Sequence, residues 1–253
     1  MKLHYQSTGI GRPLVILHGL FGSSDNWRSI VKVLVNTRQV ITVDLRNHGQ
    51  SPHSTEQSYP LMVEDLFELL DDLDLDKVDL IGHSVGGKVA MAFSQTYPDR
   101  INKLIVVDIA PRQYQPEHTA IFKALLALDL SLYTQRSDLD QALALSLPDK
   151  AVRQFLLMNL NNQNQQLHWQ INLPALFDNY QALLAAVCEQ GKVYSTSLFI
   201  RGGRSNYINV DDETLIKKTF SNSSLVTIEQ AGHWVHAEAP QAFITTVSEF
   251  LDD

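Results

Sequence analysis

Uninterrupted apolar runs alternate with stretches of helical periodicity along the chain as far as Pro111. Leu14-Val15-Ile16-Leu17, Val40-Ile41-Thr42-Val43, Val78-Asp79-Leu80-Ile81 and Leu104-Ile105-Val106-Val107 are too short for helices and show no clear polar face. Such runs suit strands covered on both faces, as in a parallel sheet. Between them, Ser23-Ser24-Asp25-Asn26 supplies N-cap residues for a helix through Leu34. Tyr59 to Leu73 carries apolar residues at helical spacing, and a further helix runs to about Tyr97. Leu3 to Thr8 alternates as an edge strand would and is closed by the turn Gly9-Ile10-Gly11-Arg12-Pro13. Strand–helix alternation predicts an α/β fold with a mostly parallel central sheet, helices on both faces and right-handed crossovers.

The pattern changes after Pro111. From Arg112 to Val193 only helical periodicity is found, with helices predicted at Pro116–Leu128, Leu139–Leu145, Asp149–Leu160 and Pro174–Cys188. The polar run Asn161-Asn162-Gln163-Asn164-Gln165-Gln166 reads as a flexible connection. The strand Ser197–Ile200, a helix over Asp211–Phe220, the strand Leu225–Ile228 and an amphipathic helix from Pro240 to Leu251 restore the alternation. Residues 1–111 and 194–253 therefore form a core, and residues 112–193 a helical insertion expected to cap the C-terminal edge of the sheet.

Composition narrows the class. A chain of 253 residues is one domain with room for a large core. The hydrophobic content of 44% and charged content of 19% are those of an ordinary soluble protein. A net charge of −8 argues against nucleic acid or an anionic membrane as partner, since no basic face is available to neutralise phosphates. The single cysteine, Cys188, allows no internal disulfide and suits a reducing cytoplasm. Met1-Lys2-Leu3-His4-Tyr5 lacks a signal-peptide core, and no run approaches the roughly 18 apolar residues of a membrane span. The expected location is cytoplasmic.

Candidate chemistry centres on Gly82-His83-Ser84-Val85-Gly86, a G-x-S-x-G sequence between a predicted strand and a predicted helix. In that context the serine stands on a strained turn above the N-terminus of its own helix, where dipole and free N–H groups favour negative charge. Gly82 to Lys88 also spells the start of a phosphate-binding P-loop, but Val89 stands where that motif needs Ser or Thr for magnesium. The elbow is the better reading, with Ser84 as nucleophile. A hydroxyl needs an adjacent base, and His233, after the last strand and beside Gly232, is the candidate. His236 could suggest a metal pair, but no carboxylate or cysteine cluster completes a site, so it reads as structural. No metal or cofactor is implied.

These residues resemble the α/β-hydrolase superfamily over essentially the whole chain. The carriers are His18-Gly19, Asp44-Leu45-Arg46-Asn47-His48-Gly49-Gln50-Ser51, the elbow, and Ala231-Gly232-His233. More narrowly, Asp44 to Pro52, Gly82 to Lys88, Asp108-Ile109-Ala110-Pro111 and Gly232 to Glu238 resemble a bacterial esterase subfamily of the YbfF type, related to the ABHD11-like hydrolases. The resemblance implies the α/β-hydrolase fold, with the insertion following the strand at the sixth position of that fold. Many relatives place the triad acid after the strand corresponding to Ser197–Ile200, but Gly202-Gly203-Arg204-Ser205-Asn206 contains no carboxylate, and Asp211 and Asp212 fall at a helix start. The other placement known in the superfamily, after the preceding strand, points to Asp108. Ser205 then takes the vacated position and is expected to reach Asp108 or His233.

The oxyanion hole would use the backbone N–H groups of Val85 and Leu20, with Phe21 the alternative donor to Leu20. Phe21, Trp169, Tyr207 and Trp234 are candidate pocket walls, and Arg46 and Asn47 are expected to stitch the loop beneath the oxyanion hole. The resulting expectation is a serine hydrolase cleaving carboxylic esters or acyl thioesters through an acyl-enzyme. A C–C hydrolase or lyase with the same triad, and a non-catalytic ligand-binding relative, are the alternatives, because this fold hosts many reactions.

Overall fold

The computed structural model describes residues 1–164 and 166–253. Strands β1 (Tyr5–Thr8), β2 (Arg12–Leu17), β3 (Arg38–Val43), β4 (Val78–His83), β5 (Ile101–Val107), β8 (Thr196–Gly202) and β9 (Ser223–Ile228) form one sheet, and β6 (Leu160–Gln163) and β7 (Gln166–Trp169) form a hairpin. The sheet order is β1-β3-β2-β4-β5-β8-β9. Only β1 runs antiparallel, pairing Tyr5 with Val43 and Thr8 with Val40. β4 lies in the middle, parallel to β2 and β5, so its C-terminal end opens at the centre of the sheet edge.

Successive residues of these strands enter two different cores, which is why the apolar runs are unbroken. Val15, Leu17, Leu80, Leu104 and Val106 face α2 (Tyr59–Asp72) and α3 (Val85–Thr96). Leu14, Ile16, Ile81, Ile105 and Val107 face α1 (Arg28–Leu34) and α11 (Pro240–Asp252), where Ile30, Phe243 and Val247 are fully buried. Prolines at the start of α2 and α11 preset the helical φ and forgo an N–H that has no partner there.

Between β5 and β8 the chain forms α4 (Thr119–Leu126), α5 (Arg136–Ala144), α6 (Lys150–Leu157), α7 (Leu173–Asp178) and α8 (Tyr180–Leu184). Asp149 starts α6 by accepting from the N–H groups of Ala151 and Val152 at 2.8 and 3.3 Å. The single helix predicted over Pro174–Cys188 is instead two, broken at Asn179, whose side-chain amide donates to Thr55 O at 2.9 Å. The polar run is not merely a connection. Asn161 to Gln163 pair with Gln166 to His168 in the β6–β7 hairpin, and Gln165 lies outside the described residues. Main-chain pairing carries that hairpin, with Leu160 and Leu167 turned into the core. No helix is long and apolar enough to cross a membrane among the described residues.

Candidate active site

β4 turns into α3 with a single residue between them, and that residue, Ser84, sits at φ 52°. Its N–H donates to Val107 O at 3.0 Å, which ties the turn to the neighbouring strand. A positive φ in a non-glycine residue is strained and persists only when its surroundings hold it. The flanking glycines supply the room. A Cβ on Gly82 would strike the Gly86 carbonyl, and one on Gly86 would strike those of Leu17 and His18. Val85 is the first residue of α3, so its N–H has no intrahelical acceptor and points out at the helix N-terminus.

Asp108 follows β5, also at positive φ (49°), with its N–H bound to Ile200 O at 2.8 Å. Its carboxylate is fully buried and accepts three hydrogen bonds. The donors are Gly202 N at 2.9 Å, Ser205 Oγ at 2.5 Å and His233 Nδ1 at 2.8 Å. Three donors compensate a carboxylate that would otherwise be costly to bury. With Nδ1–H committed to Asp108, Nε2 is the acceptor nitrogen of a neutral His233. His233 and Ser84 line the same cavity. The loop of His233 is held by Glu238, at the end of α10 (Val235–Glu238), whose carboxylate accepts from Gly232 N at 2.8 Å and Trp234 N at 3.2 Å. Asp211 is exposed, and Asp212 is engaged elsewhere, in the N-terminal cap of α9 (Val210–Thr219) and with Arg112 Nε at 2.8 Å.

The loop after β2 is braced by two buried histidines. His18 Nδ1–H donates to Gly19 O at 2.8 Å, and Nε2 accepts from Leu45 N at 3.0 Å. His48 Nδ1–H donates to Arg46 O at 2.9 Å, and Nε2 accepts from Phe21 N at 3.3 Å. Both arrangements require neutral imidazoles. Burial lowers His18 and pushes His48 down to about 3, so both stay neutral. Because Phe21 N–H is committed to His48, Leu20 N–H is the one left without an acceptor within the protein among the described residues. Arg46 lies one step further back, pairing with Asp65 through Nε and Nη2 at 2.6 and 2.8 Å, and Asn47 holds Gln57 at 2.8 Å.

Two cavities meet at Ser84. One, a narrow space of about 30 Å³, runs past Tyr59, Lys88, Tyr114 and Tyr180. The other, of about 260 Å³, is walled by Phe21, Ile121, Val152, Phe155 and Trp234. Tyr207, Leu20 and His118 line both. Trp169 does not belong with these walls. It sits in a separate groove with Gly49, Gln50 and His53, because β7 turns it towards the loop after β3.

The family model described as alpha/beta hydrolase fold matches residues 12–240. This chain belongs to the α/β-hydrolase fold family. It is 37% identical to Esterase YbfF of Escherichia coli (strain K12), over 95% of this chain and 93% of that protein. It is 39% identical to the sn-1-specific diacylglycerol lipase ABHD11 of Danio rerio, over 98% of this chain and 80% of the lipase. Among solved structures, a marine microorganism esterase superposes with a TM-score of 0.96 at 40% identity, covering 98% of this chain and 99% of the esterase.

Within this α/β-hydrolase, Lys88 is a residue whose part sequence reasoning misses. It lies one turn after Ser84 on α3 and is 1% exposed. Its ammonium donates to Arg112 O at 2.8 Å, Leu184 O at 3.3 Å and Ala185 O at 2.5 Å, so it grips both ends of the 112–193 segment. Burial and the nearby Arg112 push it down to about 7. The same ends are joined by Val187 N–H to Pro111 O at 2.8 Å. His236 is buried and stacked on Trp27, with ring centroids 4.1 Å apart, and burial pushes it down to about 3.

Proposed function

We propose that this chain is a carboxylic ester hydrolase working through an acyl-enzyme, with Ser84 as nucleophile, His233 as general base and acid, and Asp108 as the orienting carboxylate. The observation that carries the reading is the hydrogen-bonded His233–Asp108 pair facing the cavity of a strained serine at a helix N-terminus. Esterase and lipase names among relatives that this chain matches over nearly its whole length support ester chemistry.

Ser84 attacks the ester carbonyl while its proton passes to His233 Nε2. Asp108 stabilises the imidazolium so formed without itself taking the proton. The carbonyl oxygen becomes an oxyanion that the N–H groups of Leu20 and Val85 receive, worth about 3 kcal/mol per donor. Collapse expels the alcohol with a proton from His233, and water then repeats the sequence on the acyl-serine. The 112–193 segment acts as the cap. Its residues Ile121, Val152, Phe155 and Leu156 close the larger cavity over Ser84 and supply an apolar bed for an acyl or alkyl chain.

A fluorophosphonate reagent tests the assignment. It should modify Ser84 alone and stop hydrolysis of p-nitrophenyl esters, and a Ser84→Ala variant should neither react nor turn over. A burst of p-nitrophenol before the steady state is expected, since the acyl-enzyme accumulates only if the alcohol leaves first. Complete inhibition with the label on another residue would overturn the reading. Parallel assays with acyl-CoA thioesters decide which acyl donor is preferred.

A further inference from the structure

The loop that follows β8 touches the His233–Asp108 pair twice. Ser205 donates to Asp108, and two residues later the Tyr207 ring lies flat on the His233 imidazole, with centroids 3.8 Å apart and planes 19° apart. The loop is closed on itself by Tyr207 N–H donating to Ser205 Oγ at 3.2 Å. The phenol is held from the other side. Tyr207 Oη meets His118 Nε2 at 3.4 Å, and His118 Nδ1 meets Tyr180 Oη at 3.0 Å. In either tautomer of His118 one ring nitrogen gives a hydrogen bond and the other accepts one, so both phenols are secured. The Tyr207 carbonyl accepts from Tyr114 Oη at 2.6 Å, which fixes the main chain as well.

We propose that Tyr207 is a positioning residue for His233, holding the plane of the imidazole and stabilising its imidazolium form through the face of the phenol ring. This rests on His233 being the general base. An aromatic ring presents a negative face, and a cation lying over it is attracted more strongly where water is excluded. The ionisable groups facing His233 are Asp108, Tyr207, His83, His118 and His236, and Glu117 stands on the wall of the same cavity. Burial keeps His83, His118 and His236 neutral, and it raises the phenol of Tyr207, which keeps its proton. Asp108 provides the hydrogen-bonded charge and Tyr207 the π face. His83 fixes the main chain of His233, its Nε2–H donating to the His233 carbonyl at 2.9 Å. In a cycle that starts from the neutral imidazole the cation forms as Ser84 gives up its proton, so the stack favours the transition state over the ground state.

Three variants of the full chain separate this role from mere packing. Tyr207→Leu removes the ring, Tyr207→Met fills similar space without one, and Tyr207→Phe keeps the face while losing the hydroxyl. With a short p-nitrophenyl ester, the Leu and Met variants should lose roughly five- to tenfold in kcat with KM changed by less than about twofold. The acid limb of the kcat/KM profile should move down by about half to one pH unit. Phe should restore most of kcat and the position of the limb. The His233 ring-proton titration by NMR in a Ser84→Ala background needs no turnover. It should show the same downward displacement in the Leu or Met variant and little in Phe. If the titration moves as stated but no ester is hydrolysed, the esterase reading fails and the Tyr207 contact stands. If the ringless variants titrate within about 0.2 pH units of the parent, or Phe moves as far as Leu, the positioning role is overturned.

Discussion

A single atom distinguishes aspartate from asparagine at position 108, and the site is built to notice it. On the proposed mechanism an amide there would turn a donor towards His233 Nδ1 and favour the tautomer with its proton on Nε2, where the base is needed. We expect Asp108→Asn to lower kcat by about 10³ to 10⁴ with KM little changed. Ser205→Ala removes one of the three donors to that carboxylate and should cost about tenfold. The two aspartates at the start of α9 differ from each other. Asp211→Asn is exposed and should leave both activity and stability alone. Asp212→Asn weakens a helix cap and an ion pair with Arg112, costing about 1 to 2 kcal/mol of stability while sparing kcat. Steady-state rates and urea midpoints measured on the four variants check these assignments. An inactive Asp211→Asn beside an active Asp108→Asn would move the acid to the later loop.

At the scale of elements, α6 and β7 make opposite predictions about chain-length preference. Phe155, on α6, walls the larger cavity beside Phe21 and Trp234, whereas Trp169, on β7, lines a groove away from Ser84. Phe155→Ala should shift the ranking of p-nitrophenyl esters towards longer acyl chains, and Trp169→Ala should leave the ranking unchanged. An unaltered ranking in Phe155→Ala would remove that wall from the substrate path. The contrast also shows what a sequence reveals. The central strands are legible because both faces of each are buried, leaving an apolar run with no polar register. The elbow is legible because Gly82 and Gly86 are demanded by backbone approach at fixed spacing. The β6–β7 hairpin escapes because its pairing is main-chain and its sequence mostly polar. Trp169 is misplaced because an aromatic residue announces burial without its direction. His48 stays hidden because its partner, Phe21 N–H, is 27 residues away and no local pattern encodes the pairing.

For the molecule as a whole, the buried histidines set the response to acid. His48 and His236 are held near 3 in the folded state, against an ordinary value of 6.5. Between those limits the unfolded chain takes up protons that the folded one refuses, so stability falls as the pH drops below about 6.5. Each histidine contributes up to about 1.4 kcal/mol per pH unit across that window. Urea midpoints should therefore decline between pH 7.5 and pH 5, and His48→Gln should flatten the decline. Equal midpoints at the two values would mean that these imidazoles accept protons without unfolding. The grip of Lys88 on the ends of the 112–193 segment, with the Val187–Pro111 hydrogen bond beside it, has a different kind of consequence. Chain that leaves and returns through one narrow neck can be lengthened, trimmed or exchanged for another without disturbing the register of the strands on either side. The sheet is thus a fixed socket for Ser84, Asp108 and His233, and a different segment could be spliced between Pro111 and Val187 while those three residues keep their places.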